Sequence, residues 1–504
     1  MQNDQVIIKI IMAVIIFSGC QMKKKQSLGV FEAAGDVGNV KFAGSSVYDP
    51  VTEKYSLRGS GSNMWFGEDE FHFLWRRMNG DFILDTRIEW IGKGVQAHRK
   101  AGLSIRETLH SGSRHVSAEF HGGDGLMSLQ YRLEPDSVTL EQSAEERYLP
   151  YIRLEKTGKK VRMLAARLGE VLKPVGEIEL PFDSTNFYLG LFICSHDSDV
   201  VEEADFLNTR LTIPAKPDFI PYRDYIGSRL EILELKTGLR KTIFASEEPF
   251  EAPNWSQDGR FLIVNSRGKL YQIPAEGGDW TCIDTDFAVS NNNDHGFSPD
   301  GRFLAISHHA EDRPQGQNSV IYKVPVTGGI PEQITEKSPS YWHGWSPDGS
   351  RLIYTANRND QWNIYAIAAD GGEEVQLTSG TFLDDGSQFS ADGQFIWFNS
   401  NRSGSMEIWR MKSDGTDPLQ ITDDIYQNWF PHPSPDGRWL VFMSYPPEVD
   451  PWDHPYYRPV MLRLIDLEDM SIRVIARLYG GQGTINVPSW APDSKRFAFV
   501  SNTG

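Results

Sequence analysis

Apolar residues along this chain alternate with polar ones or come in short runs, and little of it keeps the 3.6-residue spacing of an amphipathic helix. Residues 28–213 alternate. Examples are Asp81-Phe-Ile-Leu-Asp-Thr-Arg-Ile88, Val116-Ser-Ala-Glu-Phe120, Leu129-Gln-Tyr-Arg132, Tyr151-Ile-Arg-Leu-Glu155, Val161-Arg-Met-Leu-Ala165 and Phe187-Tyr-Leu-Gly-Leu-Phe-Ile193. Turns rich in Gly, Asp and Lys separate them, which predicts many short strands packed as a β-sandwich. Further on, runs such as Phe303-Leu-Ala-Ile306, Leu352-Ile-Tyr354 and Phe395-Ile-Trp-Phe398 are too short for helices. They are rich in β-branched and aromatic residues and predict buried strands. The chain is therefore expected to be all-β.

The short runs belong to a repeat. Each follows a tetrapeptide: Ser256-Gln-Asp-Gly259, Ser298-Pro-Asp-Gly301, Ser346-Pro-Asp-Gly349, Ser390-Ala-Asp-Gly393, Ser434-Pro-Asp-Gly437 and Ala491-Pro-Asp-Ser494. Their first residues stand 42, 48, 44, 44 and 57 apart. An aromatic usually precedes them: Trp255, Phe297, Trp345, Phe389, Trp490. Pro presets φ and Gly accepts a positive φ, so each tetrapeptide is a tight turn. A third strand (Ile364–Ile367, Ile408–Met411), a Gly turn and a fourth strand (Val375–Thr378, Leu419–Thr422) complete the unit. Four antiparallel strands at this period make one propeller blade. One strand follows the last copy. Leu230–Leu235 and Lys241–Phe244, ahead of the first copy, are free to complete its blade. The expectation is six blades, closed by the two ends of the domain so that no sheet edge is left open.

Trp-Ser-Pro-Asp-Gly, an apolar strand, Asn-Arg (Asn357-Arg358, Asn401-Arg402), Ile-Tyr or Ile-Trp, then Gln-Leu-Thr resembles the TolB-like, PD40-type β-propeller repeat over residues 218–504. The resemblance implies the fold. Propellers of this kind serve as periplasmic scaffolds, peptidase caps and polysaccharide lyases, so fold does not choose a function. In the first half, Met78-Asn-Gly-Asp-Phe82, Lys100–Arg106 and Tyr188-Leu-Gly-Leu191 resemble laminin-G-like and concanavalin-like jelly rolls. The expected organisation is a sandwich over 28–213, a linker over 214–221 and a propeller over 222–504.

The N-terminus carries a short apolar core, Ile10–Phe17, followed by Ser-Gly-Cys20. It resembles a bacterial lipoprotein signal, with 1–20 the signal peptide, Cys20 the lipidated residue and 21–27 a tether. The resemblance implies a lipid-anchored cell-envelope protein. Gln21, where an Asp would signal inner-membrane retention, points to the outer membrane. Net charge is −18, and no basic cluster exists beyond Lys23-Lys-Lys25, which argues against nucleic acid. Cys194 and Cys282 fall in separate strand-like runs and are expected as buried free thiols rather than a disulfide.

Candidate chemistry gathers just before the repeat turns, where strands enter one mouth of the propeller. Asn291-Asn-Asn-Asp-His295, Tyr341-Trp-His343, Asp384-Asp385 and Gln427-Asn-Trp-Phe-Pro-His432 stand there, while His308, His309 and Tyr445 come from loops between second and third strands. His295 and His343 each lie three residues before their repeat Ser. With His432 and Asp384 or Asp385 they suit a divalent metal or an acid–base pair. Candidate catalytic residues are His295, His343, Asp385 and His432, the same four being the possible metal ligands. Asn293, Asp294, His308, His309, Tyr341, Trp342, Asp384, Asn428, Trp429 and Tyr445 are candidate ligand contacts, the aromatics by stacking on sugars. A histidine opening an inner strand can equally hydrogen-bond a neighbouring blade's backbone. In the sandwich, His110, His115, His121 and Glu119 show no spacing that marks a metal site. The insertion Asp450–Tyr457 is either a lid or a packed loop. Two functions stay open. One is an envelope protein binding glycan or protein partners at the mouth. The other is a carbohydrate-active enzyme, a lyase or hydrolase, by analogy with oligogalacturonate-lyase propellers.

Overall fold

A computed structural model describes residues 27–182, 186–220 and 223–504, so Cys20 and the signal-like segment lie outside the described residues. Every regular element among the described residues is a strand.

Residues 33–212 form two seven-stranded antiparallel sheets. Strand Lys160–Ala166 shows why they face each other: Val161 and Met163 are buried while Lys160 and Arg162 are exposed. Leu74, Leu103 and Leu191 of one sheet share a core with Leu57, Leu84 and Leu154 of the other. This is the layering of a β-sandwich.

Beyond it stand six blades. Five are four-stranded, opening with Glu251–Trp255, Asn291–Phe297, Ser340–Trp345, Asp384–Phe389 and Gln427–Pro433. The sixth joins strand Arg496–Thr503 to Gly227–Glu234 and Leu239–Ser246, with Leu230 opposite Val500. Its inner rung is the bridge Trp490–Phe497. The ring closes between the ends of the propeller, as the repeat requires.

The repeat Ser and Asp do local work. Ser298 Oγ donates to Asp300 Oδ1 (2.6 Å) and accepts the Phe303 N–H (3.0 Å), and Asp300 Oδ1 accepts the Arg302 N–H (3.0 Å). The same pattern recurs at Ser256, Ser346, Ser390 and Ser434. Tryptophans tie blades together: Trp345 Nε1 donates to Gly296 O (3.2 Å) and Trp490 Nε1 to His432 O (2.8 Å). Arg358 grips Glu374 through two contacts (2.9 and 3.0 Å) and Arg402 pairs with Asp384 (2.7 Å), so both repeat arginines are blade staples.

The sandwich covers the outer strands of the fifth and sixth blades. Arg210 of the sandwich and Arg240 of the sixth blade converge on the fully buried Glu231, at 2.9 and 2.7 Å. Arg477 of the fifth blade stacks on Tyr151 (4.2 Å), and Gly504 N donates to Ile213 O (2.9 Å). Cys194 is buried and free, and burial pushes its thiol up to about 12. Cys282 departs from expectation: it lies exposed on the two-residue outer strand Thr281–Cys282, which has no further strand to cover it.

Candidate functional site

Each inner strand of the four-stranded blades carries a β-bulge. Register shifts fall at Glu251/Asn254, Asn291/His295, Trp342/Gly344, Asp385/Gln388 and Trp429/His432. A bulge leaves residues out of the ladder and re-aims their side chains. Asn293, Asp294 and His343 lie inside bulges; Glu251 and Asp385 open them.

These five residues meet across the channel-lining strands. Asn293 Nδ2 of the second blade donates to Glu251 Oε2 of the first (2.9 Å). His343 of the third blade sits with Nε2 2.8 Å from Asp385 Oδ1 of the fourth. That approach is out of line with the N–H, so it is an ion pair, and both ring nitrogens remain buried without an aligned hydrogen-bond acceptor. Asp294 accepts Asn292 Nδ2 (2.8 Å) and feels both His343 and Asp385 electrostatically.

Their protonation states are pushed apart. Burial lifts Asp294 to about 7, with the Asp385 charge adding to it against His343. Burial likewise lifts Glu251 to about 7. Burial works against ionising Asp385 too, but the His343 charge and contact overcome it and hold the carboxyl down at about 2. Burial opposes protonating His343, yet Asp385 raises it above the ordinary imidazole value. The cluster thus sets the His343–Asp385 ion pair beside two carboxyls that burial lifts to about 7.

The insertion closes over this cluster. His454 packs edge-on against Trp429 (4.6 Å) and Phe430 (5.3 Å), and Tyr456 hydrogen-bonds Glu251. Tyr445 donates to Pro455 O (3.1 Å). Phe430 holds a positive φ of 53° at its bulge, which turns its ring toward His343 (6.5 Å).

The remaining candidates lie elsewhere. His295 is fully buried with Nε2 3.4 Å from the Ile263 carbonyl of the preceding blade. His432 is buried between the Gln388 amide (2.7 Å) and the Ile485 carbonyl. Burial lowers both to about 4, so both are neutral. They fasten blades, and with His343 and Asp385 they do not bring metal donors together. Among the described residues the one group of His, Cys, Asp and Glu with donors close enough for an ion is His98, His121 and Asp124, in the sandwich. Trp342 and Trp429 are fully buried core residues, closed to stacking on a ligand. A Cβ at Gly296 would fall 2.1 Å from the Trp342 ring, which is why the second blade has glycine there. Tyr341 stays half-buried beside Trp362 (5.9 Å). Asp384 is spent on Arg402, Asn428 on Glu407 (2.8 Å), His308 against Tyr322 and Phe287, and His309 beside Asn318 (3.3 Å). A cavity of about 990 Å³ opens beside Arg313, Lys337, Asn357 and Trp362, and none of the cluster residues lines it. Within it Glu374 sits between Lys337 (2.8 Å) and Arg358 (2.9 Å).

Glu251 escapes a reading built on histidines. Its signal is register: it stands five residues before Ser256, as Asn293 and Asp385 stand five before Ser298 and Ser390.

Comparison with known proteins places the propeller half. The model of the TolB beta propeller domain matches residues 341–448. An uncharacterized protein of Agrobacterium fabrum is 44% identical over 274 residues, which is 54% of this chain and 92% of that protein. A solved structure from Agrobacterium tumefaciens, provisionally assigned to TolB, is 44% identical with a TM-score of 0.53, over 56% of this chain and all of that one. TolB of Acinetobacter baumannii matches at 16% identity and a TM-score of 0.40, over 65% of this chain and 79% of its own.

Proposed function

Because the chain belongs to the TolB β-propeller family, we propose that it is a cell-envelope protein that binds a partner at the mouth of its propeller. The cluster of Glu251, Asn293, Asp294, His343 and Asp385 carries this reading. Blade packing needs no such group: burying polar atoms without full hydrogen bonding costs stability unless they serve something else. Three carboxyls against one committed imidazole leave an excess of acceptors. The partner class that fits presents donors, either amines of a protein segment or the hydroxyls of a glycan. Attachment through Cys20 and an outer-membrane location extend the same reading. Cys20→Ser is then expected to move the protein from the membrane to the soluble fraction, and unchanged retention would refute the anchor.

Calorimetric titration of the purified protein against amine-bearing peptides and neutral oligosaccharides tests the binding site. Asp385→Asn and His343→Ala are expected to weaken a binder at least about tenfold, measured well below each variant's melting temperature because each breaks a buried ion pair. Binding indifferent to both substitutions would remove the mouth as the site.

One observation favours a second reading. Carboxyls held near 7 beside one held near 2 are the division of labour of general acid–base catalysis on glycans. New reducing ends, or the absorbance of an unsaturated product, from a polysaccharide panel would establish it. An Asp294→Asn variant that kept full turnover would refute this assignment.

A further inference from the structure

At one rim of the sandwich three side chains aim donor atoms at a common point. His98 precedes strand Lys100–Arg106, His121 ends strand His115–His121, and Asp124 lies in the hairpin that follows. His98 Nδ1 and His121 Nδ1 are 3.4 Å apart. Asp124 Oδ2 lies 3.4 Å from His98 Nδ1, and its Oδ1 lies 3.3 Å from His121 Nδ1. Zinc–ligand bonds of about 2.0–2.1 Å in a tetrahedron place neighbouring donors about 3.3–3.4 Å apart. The imidazole pair matches one edge of that figure, and each imidazole lies at the same spacing from an oxygen of the one carboxylate.

We infer that His98, His121 and Asp124 form a zinc-class divalent metal site, independent of the propeller mouth. Nothing in the sequence spacing announces it, because His98 comes from a separate loop. The backbone builds the approach. Gly122 N donates to Arg99 O (2.8 Å), and Gly123 N and Asp124 N both donate to Ala97 O (3.1 and 3.2 Å). A Cβ at Gly123 would fall 2.4 Å from Ala97 Cα, so only glycine lets the hairpin lie flat on the His98 loop.

Two further observations point to a ligand. His121 is buried, and its Nε2 has no hydrogen-bond partner. That nitrogen faces the buried Glu119 at 3.9 Å, beyond hydrogen-bond reach. With a metal on Nδ1, His121 would carry its proton on Nε2, on the side where the Glu119 carboxylate lies. His196, on the adjoining turn, lies with its ring 5.5 Å from the His98 ring and tilted to it, and its buried Nδ1 also lacks a partner. Glu119 itself is held by Lys100 (3.0 Å), and Arg147 approaches Asp124 Oδ2 (3.6 Å). The His98 side chain is 53% exposed, which gives an ion a path in and leaves a coordination position open to water, to His196 or to a bound ligand. Two imidazoles and a carboxylate suit zinc better than calcium or magnesium, which take oxygen donors.

The test is metal binding by the purified full chain, stripped with chelator and titrated with Zn²⁺. One equivalent is expected, with a rise in melting temperature, and Co²⁺ in its place should give the intense visible absorption of a tetrahedral site. His98→Ala, on the exposed loop, should weaken Zn²⁺ binding at least about 100-fold and abolish the Co²⁺ band while the metal-free protein melts unchanged. Asp124→Asn should act in the same direction. Less than one equivalent of bound Zn²⁺, or one equivalent that survives both substitutions, overturns the site. The trio would then be an imidazole–imidazole hydrogen bond capped by a carboxylate.

Discussion

Asp294 and Glu251 are carboxyls that folding pushes toward the neutral form, and this has a sign. Their pKa is raised from ordinary carboxylate values to about 7. The folded state therefore holds protons that the unfolded state has released between about pH 4 and 7. Stability from these groups is fully present below that window and is lost as pH rises through 7. His343, also raised, loses its contribution in the same direction, whereas Asp385 loses its own only as pH falls toward 2. Urea midpoints are expected to fall between pH 5 and 8, and Asp294→Asn should flatten that slope. An unchanged slope would show Asp294 to be ionised throughout. The three histidines differ just as sharply. His432→Ala strands the buried Ile485 carbonyl and leaves a cavity, and is expected to cost about 2–4 kcal/mol in chemical unfolding. His343→Ala instead strands the buried Asp385 carboxylate, so its cost should shrink as pH falls and Asp385 takes up a proton, while the His432→Ala cost should not. An equal pH dependence would remove the distinction between blade staple and mouth residue.

At the scale of the element, the inner-strand bulge decides what a residue does. His295 and His343 occupy the same repeat position. In the second blade three residues, Asn292 to Asp294, stand in the register shift against the single Ser307 of the partner strand, so His295 has re-entered the ladder opposite Ile306. In the third blade the shift lies between Trp342 and Gly344, so His343 is the bulged residue and leaves the ladder. The tetrapeptide and its strands are plain in the sequence because turn chemistry and apolar runs are local. The bulge is not, because an extra residue in a strand exists only relative to the partner it fails to pair with. The aromatics follow the same logic. Trp342 shares a repeat site with Asp294 of the second blade, yet fills the gap opened by Gly296. Trp342→Ala is expected to cost about 3–5 kcal/mol, and a loss under 1 kcal/mol would mean the site collapses without it.

At the scale of the molecule, sandwich and propeller share one buried charge centre. Glu231 takes Arg210 from the sandwich and Arg240 and Ser501 from the sixth blade, and Arg210 also binds Glu53 at 2.6 Å. Removing the shared anion leaves two buried guanidinium groups facing each other. Glu231→Gln is expected to cost about 3–5 kcal/mol and to separate one thermal transition into two. A single unshifted transition in calorimetry would show that the sheets, rather than this centre, couple the halves.

By itself the sequence determined the all-β class, the sandwich ahead of a propeller, the count of six blades and their closure through Leu230–Leu235. These follow from periodicity and turn residues, which act between neighbours along the chain. Only the tertiary structure decided which polar residues face one another. His343 met Asp385, Glu251 met Asn293 and His98 met His121 because separate strands and loops were carried together. Burial then set their charges, and burial belongs to the packed molecule, not to any stretch of sequence.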